Sequence, residues 1–437
     1  MTDALTSPTS VADSDVSAVP APAGRHQPLG VFPLPLGYML IPADEGTEEA
    51  RTAMLRGRLP ASWPPSMRAH ELAAAGKRDA AITALMAASQ NRFDSVALYN
   101  RFVLDPDSVN PDNLRPVLGE FAVLVDVVLF ALGRTDTPPV DETADGELAA
   151  AVLSAQATQA LTEENPAAAV DLLDRAVQAV EGVSAPLTGV LLAGAAAICR
   201  DSHIDDAERR LREAIAALDG ADGLRVARAE IHLCLAALLH EQAQEQPHLI
   251  TTAIPHYHSA LQLVKNTDAP LLWAAAHAGL AAAYLTMPMV EASGQLRLGV
   301  AAQSLRSALT VYTREEHPAE WASVQLNLAN SLVYTPSRHH VDNLVEAVQI
   351  YEAVLQTRDR SIDPLGRARV LANQGNALAH LGMFDDAKAK LYEARFLFEE
   401  LDDIDSVRTV RGVLDEIARQ RTLLSTEPLN AVEPRSP

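Results

Sequence analysis

A pattern of small, large and small apolar residues recurs along the chain. In the segment 368–401, Ala387, Leu391 and Ala394 follow one another at intervals of four and three residues. This spacing places all three on one face of a helix. The pattern occurs in seven copies, the other six being Ala81/Leu85/Ala88, Ala169/Leu173/Ala176, Ala207/Leu211/Ala214, Ala253/Tyr257/Ala260, Ala301/Leu305/Ala308 and Ala347/Tyr351/Val354. The chain is therefore predicted to be built from helices that repeat every 38 to 48 residues, and the one interval of 88 residues predicts a degenerate unit between Asn91 and Leu132.

Each of these helices is preceded by another predicted helix. Pro270, Pro318 and Pro364 fall at matching places, where a helix opens and the missing N–H costs nothing. Gly382 marks the tight turn between the last two helices. The predicted pairs are 66–75/78–90, 91–104/111–132, 147–162/166–181, 186–200/204–218, 224–244/248–265, 270–286/296–314, 318–334/341–357 and 365–381/384–400.

The unit at 368–401 resembles the tetratricopeptide repeat, a helix–turn–helix unit of about 34 residues. One such unit cannot bury its apolar face alone, which fits the presence of several copies. The resemblance implies an all-α fold, a right-handed superhelical α-solenoid of about eight repeats with disordered tails. The phrase beginning at Trp321 (WASVQLNL) looks like the longer bacterial form of the repeat.

Composition changes along the chain predict six regions. They are a disordered, Pro-rich segment (1–65) with an apolar docking motif (28–42), N-terminal helical repeats (66–132), a linker (133–146), the main solenoid (147–401), a capping helix (402–423) and a disordered tail (424–437).

The docking motif 28–42 is strongly apolar but contains four prolines, so it cannot be an interior helix or a central strand. It either docks in extended form on the helices of its own chain or inserts into a partner. The predicted helix 114–132 is apolar all round and has to be covered on several sides. The N-terminal segment or a partner is expected to cover it, and pairing of two copies through this helix leaves the oligomeric state open.

Charge and composition bear on the class of partner. The chain of 437 residues has a net charge of −22, which argues against non-specific binding of nucleic acid or anionic lipid. Cys199 and Cys234 lie on apolar helix faces and fit a reducing compartment. The N-terminus lacks the features of a secretory signal, and no segment is long and apolar enough to cross a membrane. We therefore expect a cytoplasmic protein.

Motifs of catalysis are absent from the sequence. It has no Gly-rich phosphate loop, no Gly-x-Ser-x-Gly and no His-Glu-x-x-His. His256 and His258 point about 200° apart on one helix and cannot chelate one ion together. We expect no catalytic residues, no metal, no cofactor and no enzymatic activity.

One polar pattern stands out in the first helices of two successive pairs. Asn327 and Asn330 are matched one period later by Asn373 and Asn376, and asparagine is unfavourable inside a helix. The spacing of three places each pair on one face. In the tetratricopeptide family, first helices line a concave groove, and the resemblance implies that these asparagines bond the backbone of a partner peptide. The alternatives are a ladder of asparagines that ties neighbouring helices together, and plain exposure to solvent.

Further groove residues follow from the same resemblance. Gln325 and Arg369 are expected on or near the same wall, where Arg369 would pair with a carboxylate. Ala278, Ala281 and Ala282 would leave another part of the groove apolar and open. The full clamp of Lys and Arg that some co-chaperones use to hold an acidic C-terminus is not complete here.

Three functions remain in view. The first is a non-enzymatic scaffold that binds a partner peptide or helix in the groove, with an assembly or maturation factor for another complex as its favoured form. The second is a regulatory sensor for a small peptide or metabolite, with 133–146 as its hinge. The third is an enzyme with a site in the N-terminal third.

Overall fold

The computed structural model describes residues 24–32, 38–88, 94–287, 293–334 and 339–426. These residues form helices and connecting loops, and the β-pairing within them is one isolated antiparallel bridge, between Gln27 and Ile41. The all-α prediction is confirmed. The helices are α1 (Glu48–Leu55), α2 (Arg68–Ala74), α3 (Arg78–Ala88), α4 (Ser95–Leu104), α5 (Arg115–Leu118), α6 (Val123–Ala131), α7 (Gly146–Thr162), α8 (Pro166–Val180), α9 (Ala185–Asp201), α10 (Ala207–Ala217), α11 (Arg225–Gln242), α12 (Leu249–Leu263), α13 (Pro270–Thr286), α14 (Ser293–Ala308), α15 (Pro318–Tyr334), α16 (His340–Leu355), α17 (Pro364–His380), α18 (Phe384–Glu400) and α19 (Ile404–Thr426).

The helices pack as the repeat pattern predicts. Successive pairs such as α13/α14, α15/α16 and α17/α18 lie against each other. Close approach explains the small residues at the crossings: a Cβ atom on Gly375 would lie 2.6 Å from Cγ of Leu391 on the paired helix. Gly382, with φ of +74°, makes the turn between α17 and α18. The tetratricopeptide-like repeat is thereby confirmed.

The chain divides into two compact units, one ending at Leu238 and the other beginning at Leu239. This boundary lies inside α11, whereas the sequence suggested a break at the linker 133–146. In the structure that linker lies within the first unit, because α6 packs on α7 across it. Arg25 also joins the two sides through ion pairs with Glu120 (3.0 Å) and Asp145 (2.6 Å).

In the second unit, a hydrophobic core runs from α13 to α19. The recurrent apolar residues form it, and Ala387, Leu391 and Ala394 are each at most 1% exposed. The last helix, α19, contributes Val410 and Ile417 to this core, while residues on its other face are exposed. It extends past the expected end of the cap at 423, so residues 424–426 of the expected tail are helical. Residues 427–437 lie outside the described part of the chain.

Two N-terminal features differ from the sequence-based expectation. The helix expected over 111–132 is divided into α5 and α6 by a 3₁₀ turn at Gly119–Ala122. The break occurs because Gly119 has φ of +57°, a conformation that a continuing helix does not allow. The N-terminal segment 1–65 is not without regular structure: its described part contains α1, close to a short helix that the sequence allows over 47–58, and Met54 of α1 is fully buried. Residues 1–23 and 33–37 lie outside the described residues.

Candidate functional site

The four asparagines lie on two first helices that touch each other, α15 and α17, in the second unit. All four are half-buried. Oδ1 of Asn330 accepts a hydrogen bond from Nδ2 of Asn373 at 3.1 Å and another from the hydroxyl of Tyr351 at 2.7 Å. One asparagine of each helix therefore takes part in a bridge between α15 and α17.

Tyr351 reaches this bridge from α16 and is 1% exposed. Burial raises its pKa far above the usual value for a phenol, so the hydroxyl stays protonated and donates its hydrogen. Sequence reasoning used Tyr351 only as the large member of an apolar pattern. The sequence does contain a sign of this hydrogen-bonding role, because tyrosine occupies a position where most other copies of the pattern have leucine.

Asn327 and Asn376 differ from the bridging pair. Their side-chain amides make no hydrogen bond with any other residue in the described part of the chain. Asn376 lines a cavity of about 380 Å³ between α17 and α19. The cavity is also lined by Ala379, His380, Thr409, Gly412, Val413, Glu416, Ile417 and Gln420. The structure thus leaves one amide of each helix available for a ligand.

Gln325 does not share this face. It lies two residues before Asn327, which corresponds to about 200° around the helix. Its Oε1 atom is buried and has no hydrogen-bond partner among the described residues. Gln325 therefore points into the packing between helices.

Arg369 is exposed, and it makes no ion pair closer than 4 Å with the described residues. Two acidic groups lie near enough to feel its charge. Backbone N–H groups of Gly366 and Ser406 are the main causes that lower the pKa of Asp363 and Asp403, and Arg369 adds to this effect. We call the surface of α15 and α17 that carries Asn327, Asn330, Asn373 and Asn376 the asparagine face. Arg369 lies four residues before Asn373, which places the two on the same side of α17.

The three alanines of α13 that were expected to line the groove differ in burial. Ala278 and Ala282 are half-buried, but Ala281 is fully buried in the core and differs from the open position expected for it. Ala281 is buried because it lies on the face of α13 that packs against neighbouring helices, one position before the groove residue Ala282. Gly279 on the same helix lies under the ring of Tyr257, where a Cβ atom would clash with the ring.

The histidines near α13 serve as packing groups. Burial lowers the pKa of His240 and His277, so both are neutral at pH 7. His277 stacks edge-on against Trp273 with 4.3 Å between ring centres, and Nε2 of His258 lies 3.1 Å from the hydroxyl of Tyr284. In the described ranges, no three His, Cys, Asp or Glu side chains come together in a group that could hold a metal ion.

No family model matches the chain, and no curated protein matches it. Among solved structures, it is similar to the apo form of RapI, with 11% identity over 82% of this chain and 96% of that chain and a TM-score of 0.42. It is also similar to a Rap protein complexed with competence and sporulation factor (15% identity, 82% and 97% covered, TM-score 0.37). A human IFIT1 dimer with PPP-AAAA shares 13% identity over 82% of this chain and 73% of that one, with a TM-score of 0.36. None of these likenesses identifies a function for this chain. Of the described helices, none combines the length and the apolar character that a membrane span requires.

Proposed function

We propose that this tetratricopeptide-like repeat protein is a non-enzymatic scaffold that binds an extended peptide of a partner protein along α15, α17 and α19. The proposal rests on a difference in hydrogen bonding among the four asparagines. Asn330 and Asn373 are bonded to each other, whereas Asn376 presents an unbonded amide to a cavity. A side-chain amide offers both a donor and an acceptor, as the backbone of an extended peptide requires.

The bridge between Asn330 and Asn373 gives the site its rigidity. It joins α15 to α17, and the hydroxyl of Tyr351 holds the shared oxygen atom in place. Asn327 lies one turn before Asn330 on the same helix, and Asn376 lies one turn after Asn373. The two unbonded amides are therefore carried on helices whose register is fixed before a ligand binds, which lowers the cost of binding.

Side chains around the asparagines suggest what the peptide offers. Arg369 is exposed and would pair with a carboxylate of the peptide. Ala278 and Ala282 on α13 are small and half-buried, and they would accept apolar side chains. The net charge of −22 disfavours nucleic acid as the ligand. We place the protein in the cytoplasm, as an assembly or maturation factor, and its two free cysteines fit that compartment.

The scaffold is preferred over a sensor that bends at 133–146. Three contacts tie that linker to its surroundings in the first unit. Nε2 of Gln156 donates to the carbonyl of Pro139 at 3.0 Å, Arg134 pairs with Asp107 at 2.7 Å, and Asp145 pairs with Arg25. A hinge would have to break these contacts at each movement.

Display of random extended peptides on the immobilised full chain tests the proposal. A peptide enriched in this selection is then titrated against the wild type and against a double variant, Asn327→Ala with Asn376→Ala. We expect binding to weaken about tenfold or more, since two neutral hydrogen bonds are lost. Gln303→Ala, an exposed substitution on α14, is the matched control and is expected to leave the affinity unchanged. Equal affinity of the double variant and the wild type would overturn the proposed site.

A further inference from the structure

A second surface, in the first unit, holds an N-terminal segment of the chain itself. Residues 24–32 and 38–42 of this segment lie side by side. Gln27 and Ile41 exchange two backbone hydrogen bonds, at 3.0 and 2.8 Å. Leu29, Leu40 and Ile41 are fully buried. We call the described residues 24–32 and 38–42 the cis segment.

Polar side chains of the helices bind the backbone of the cis segment. The Oδ1 atom of Asn100 on α4 accepts from the backbone N–H of Leu40 at 2.7 Å, and Nδ2 of the same amide donates to the Leu40 carbonyl at 2.8 Å. Nε2 of His70 on α2 lies 3.0 Å from that carbonyl. Asn100 is 1% exposed and His70 is 2% exposed. One buried amide thus satisfies both polar atoms of a residue in an extended chain.

A second set of contacts holds the other half of the cis segment. Glu147, in the first turn of α7, accepts a hydrogen bond from Nε2 of Gln27 at 2.5 Å, and the backbone N–H groups of Leu29 and Gly30 face the same carboxyl group. Nη1 of Arg51 donates to the carbonyl of Arg25 at 3.0 Å. Several of these contacts again involve backbone atoms, which every peptide possesses.

Charge and apolar burial define which peptides fit. The Arg25 guanidinium pairs with Glu120 and Asp145 and lies 5.9 Å from the ring centre of Phe121. Downstream of Arg25, Leu29 and Val31 are at most 3% exposed. The segment that fits this surface is extended, with a basic residue at its start and apolar residues after it.

The connection between the cis segment and α1 allows the segment to separate from the helices. After Ile41 and Pro42, residues 44–46 are exposed, and α1 begins only at Glu48. We propose that α2, α4 and α7 form a peptide-binding site whose ligand is the cis segment, and that the site also binds a separate peptide of the same chemistry. This inference does not depend on the groove of the second unit.

The experiment uses the full chain with a recognition sequence for a specific protease inserted between Asp44 and Glu45. After cleavage, size-exclusion chromatography with mass spectrometry shows whether the N-terminal fragment stays bound. A fluorescent synthetic peptide with the sequence of residues 24–43 is then added in excess, and its binding is followed by anisotropy. We expect the fragment to remain bound after cleavage and the labelled peptide to replace it in a saturable way.

Modified peptides identify the contacts without altering the protein. N-methylation at Leu40 removes the hydrogen that Asn100 accepts, and Arg25→Glu reverses the charge that Glu120 and Asp145 face. Each modified peptide is expected to bind about tenfold more weakly or worse. Uncleaved protein should not bind the labelled peptide, because its own segment fills the site. Failure of the peptide to exchange, unfolding of the cleaved protein, or equal binding of the modified peptides would overturn the proposal.

Discussion

Asparagine side chains have two different roles in two regions of the molecule. One region is the cleft that holds the cis segment, and the other is the asparagine face of α15 and α17. In the cleft, Asn100 is 1% exposed and both polar atoms of its amide are bonded to Leu40. On the asparagine face, Asn330 and Asn373 are half-buried and bonded, while Asn327 and Asn376 are half-buried and unbonded. A fully buried amide must be satisfied within the protein, whereas a half-buried one can wait for a ligand. Full burial therefore marks Asn100 as structural, whereas among the half-buried asparagines the hydrogen bonds already made within the protein distinguish Asn330 and Asn373 from Asn327 and Asn376.

The largest effect should come from Asn100→Ala. The substitution leaves the Leu40 N–H buried without a partner and opens a cavity, which together cost about 3–4 kcal/mol of the free energy of unfolding. Urea denaturation measures this loss, and hydrogen exchange at Leu40 should accelerate. Asn373→Ala, on the asparagine face, is the matched control and should cost less than about 1 kcal/mol. Equal losses in the two variants would contradict the distinction between buried and half-buried amides.

The next largest effect is a loss of stability at acidic pH. Burial lowers the pKa of His70 to about 4, below the value of about 6.5 in an unfolded chain. The unfolded state therefore binds the proton first, so stability falls as the pH is lowered from about 6.5 to 4, by up to about 3 kcal/mol. Burial raises the pKa of Glu147, so Glu147 affects stability in the opposite direction. Its contribution to the free energy of unfolding increases as the pH falls toward the pKa that it has in the unfolded chain.

The pH effect of His70 is isolated by a variant. His70→Gln keeps a donor for the Leu40 carbonyl but cannot be protonated. Thermal melts of both proteins between pH 7 and pH 4 are compared. The wild type should lose more stability over this range than the variant, and parallel curves would show that His70 does not titrate as its burial requires.

A glycine at a helix crossing gives a smaller effect. Gly375→Ala places a Cβ atom 2.6 Å from Cγ of Leu391, and the helices must separate at a cost of about 1–3 kcal/mol. Gly299→Ala on α14 meets no atom within 4 Å and should instead stabilise the helix by about 0.5–1 kcal/mol. The two melting temperatures should move in opposite directions. Stabilisation by both substitutions would mean that α17 and α18 do not pack as closely as described.

The smallest effect is that of one hydroxyl group. Tyr351→Phe removes a hydrogen bond to Asn330 and should cost about 1 kcal/mol. Tyr392→Phe, on the exposed side of α18, should change the stability by less than about 0.5 kcal/mol. Chemical denaturation of the two variants tests the difference. If Tyr351→Phe is as neutral as Tyr392→Phe, the bridge between α15 and α17 does not need its tyrosine.

The sequence was sufficient for the repeat but not for every contact. Ala387, Leu391 and Ala394 are close together along the chain, so their spacing alone predicts a buried helix face. The bond between Asn100 and Leu40 joins residues 60 positions apart, and no local pattern indicates it. Gly119 breaks a helix that its apolar neighbours favour, because a positive φ overrides the hydrophobic pattern. Gln325 is expected from the resemblance on or near the same wall as the asparagines, but its spacing of two residues from Asn327 directs it elsewhere.

Hydrogen–deuterium exchange of the full chain, with and without a peptide selected by display, tests the central claim that the second unit binds a partner peptide on its asparagine face. We expect slower exchange within 318–334, 364–380 and 404–426, and unchanged exchange at residues 38–42. Protection confined to the first unit, or a selected peptide that protects none of these helices, would contradict it.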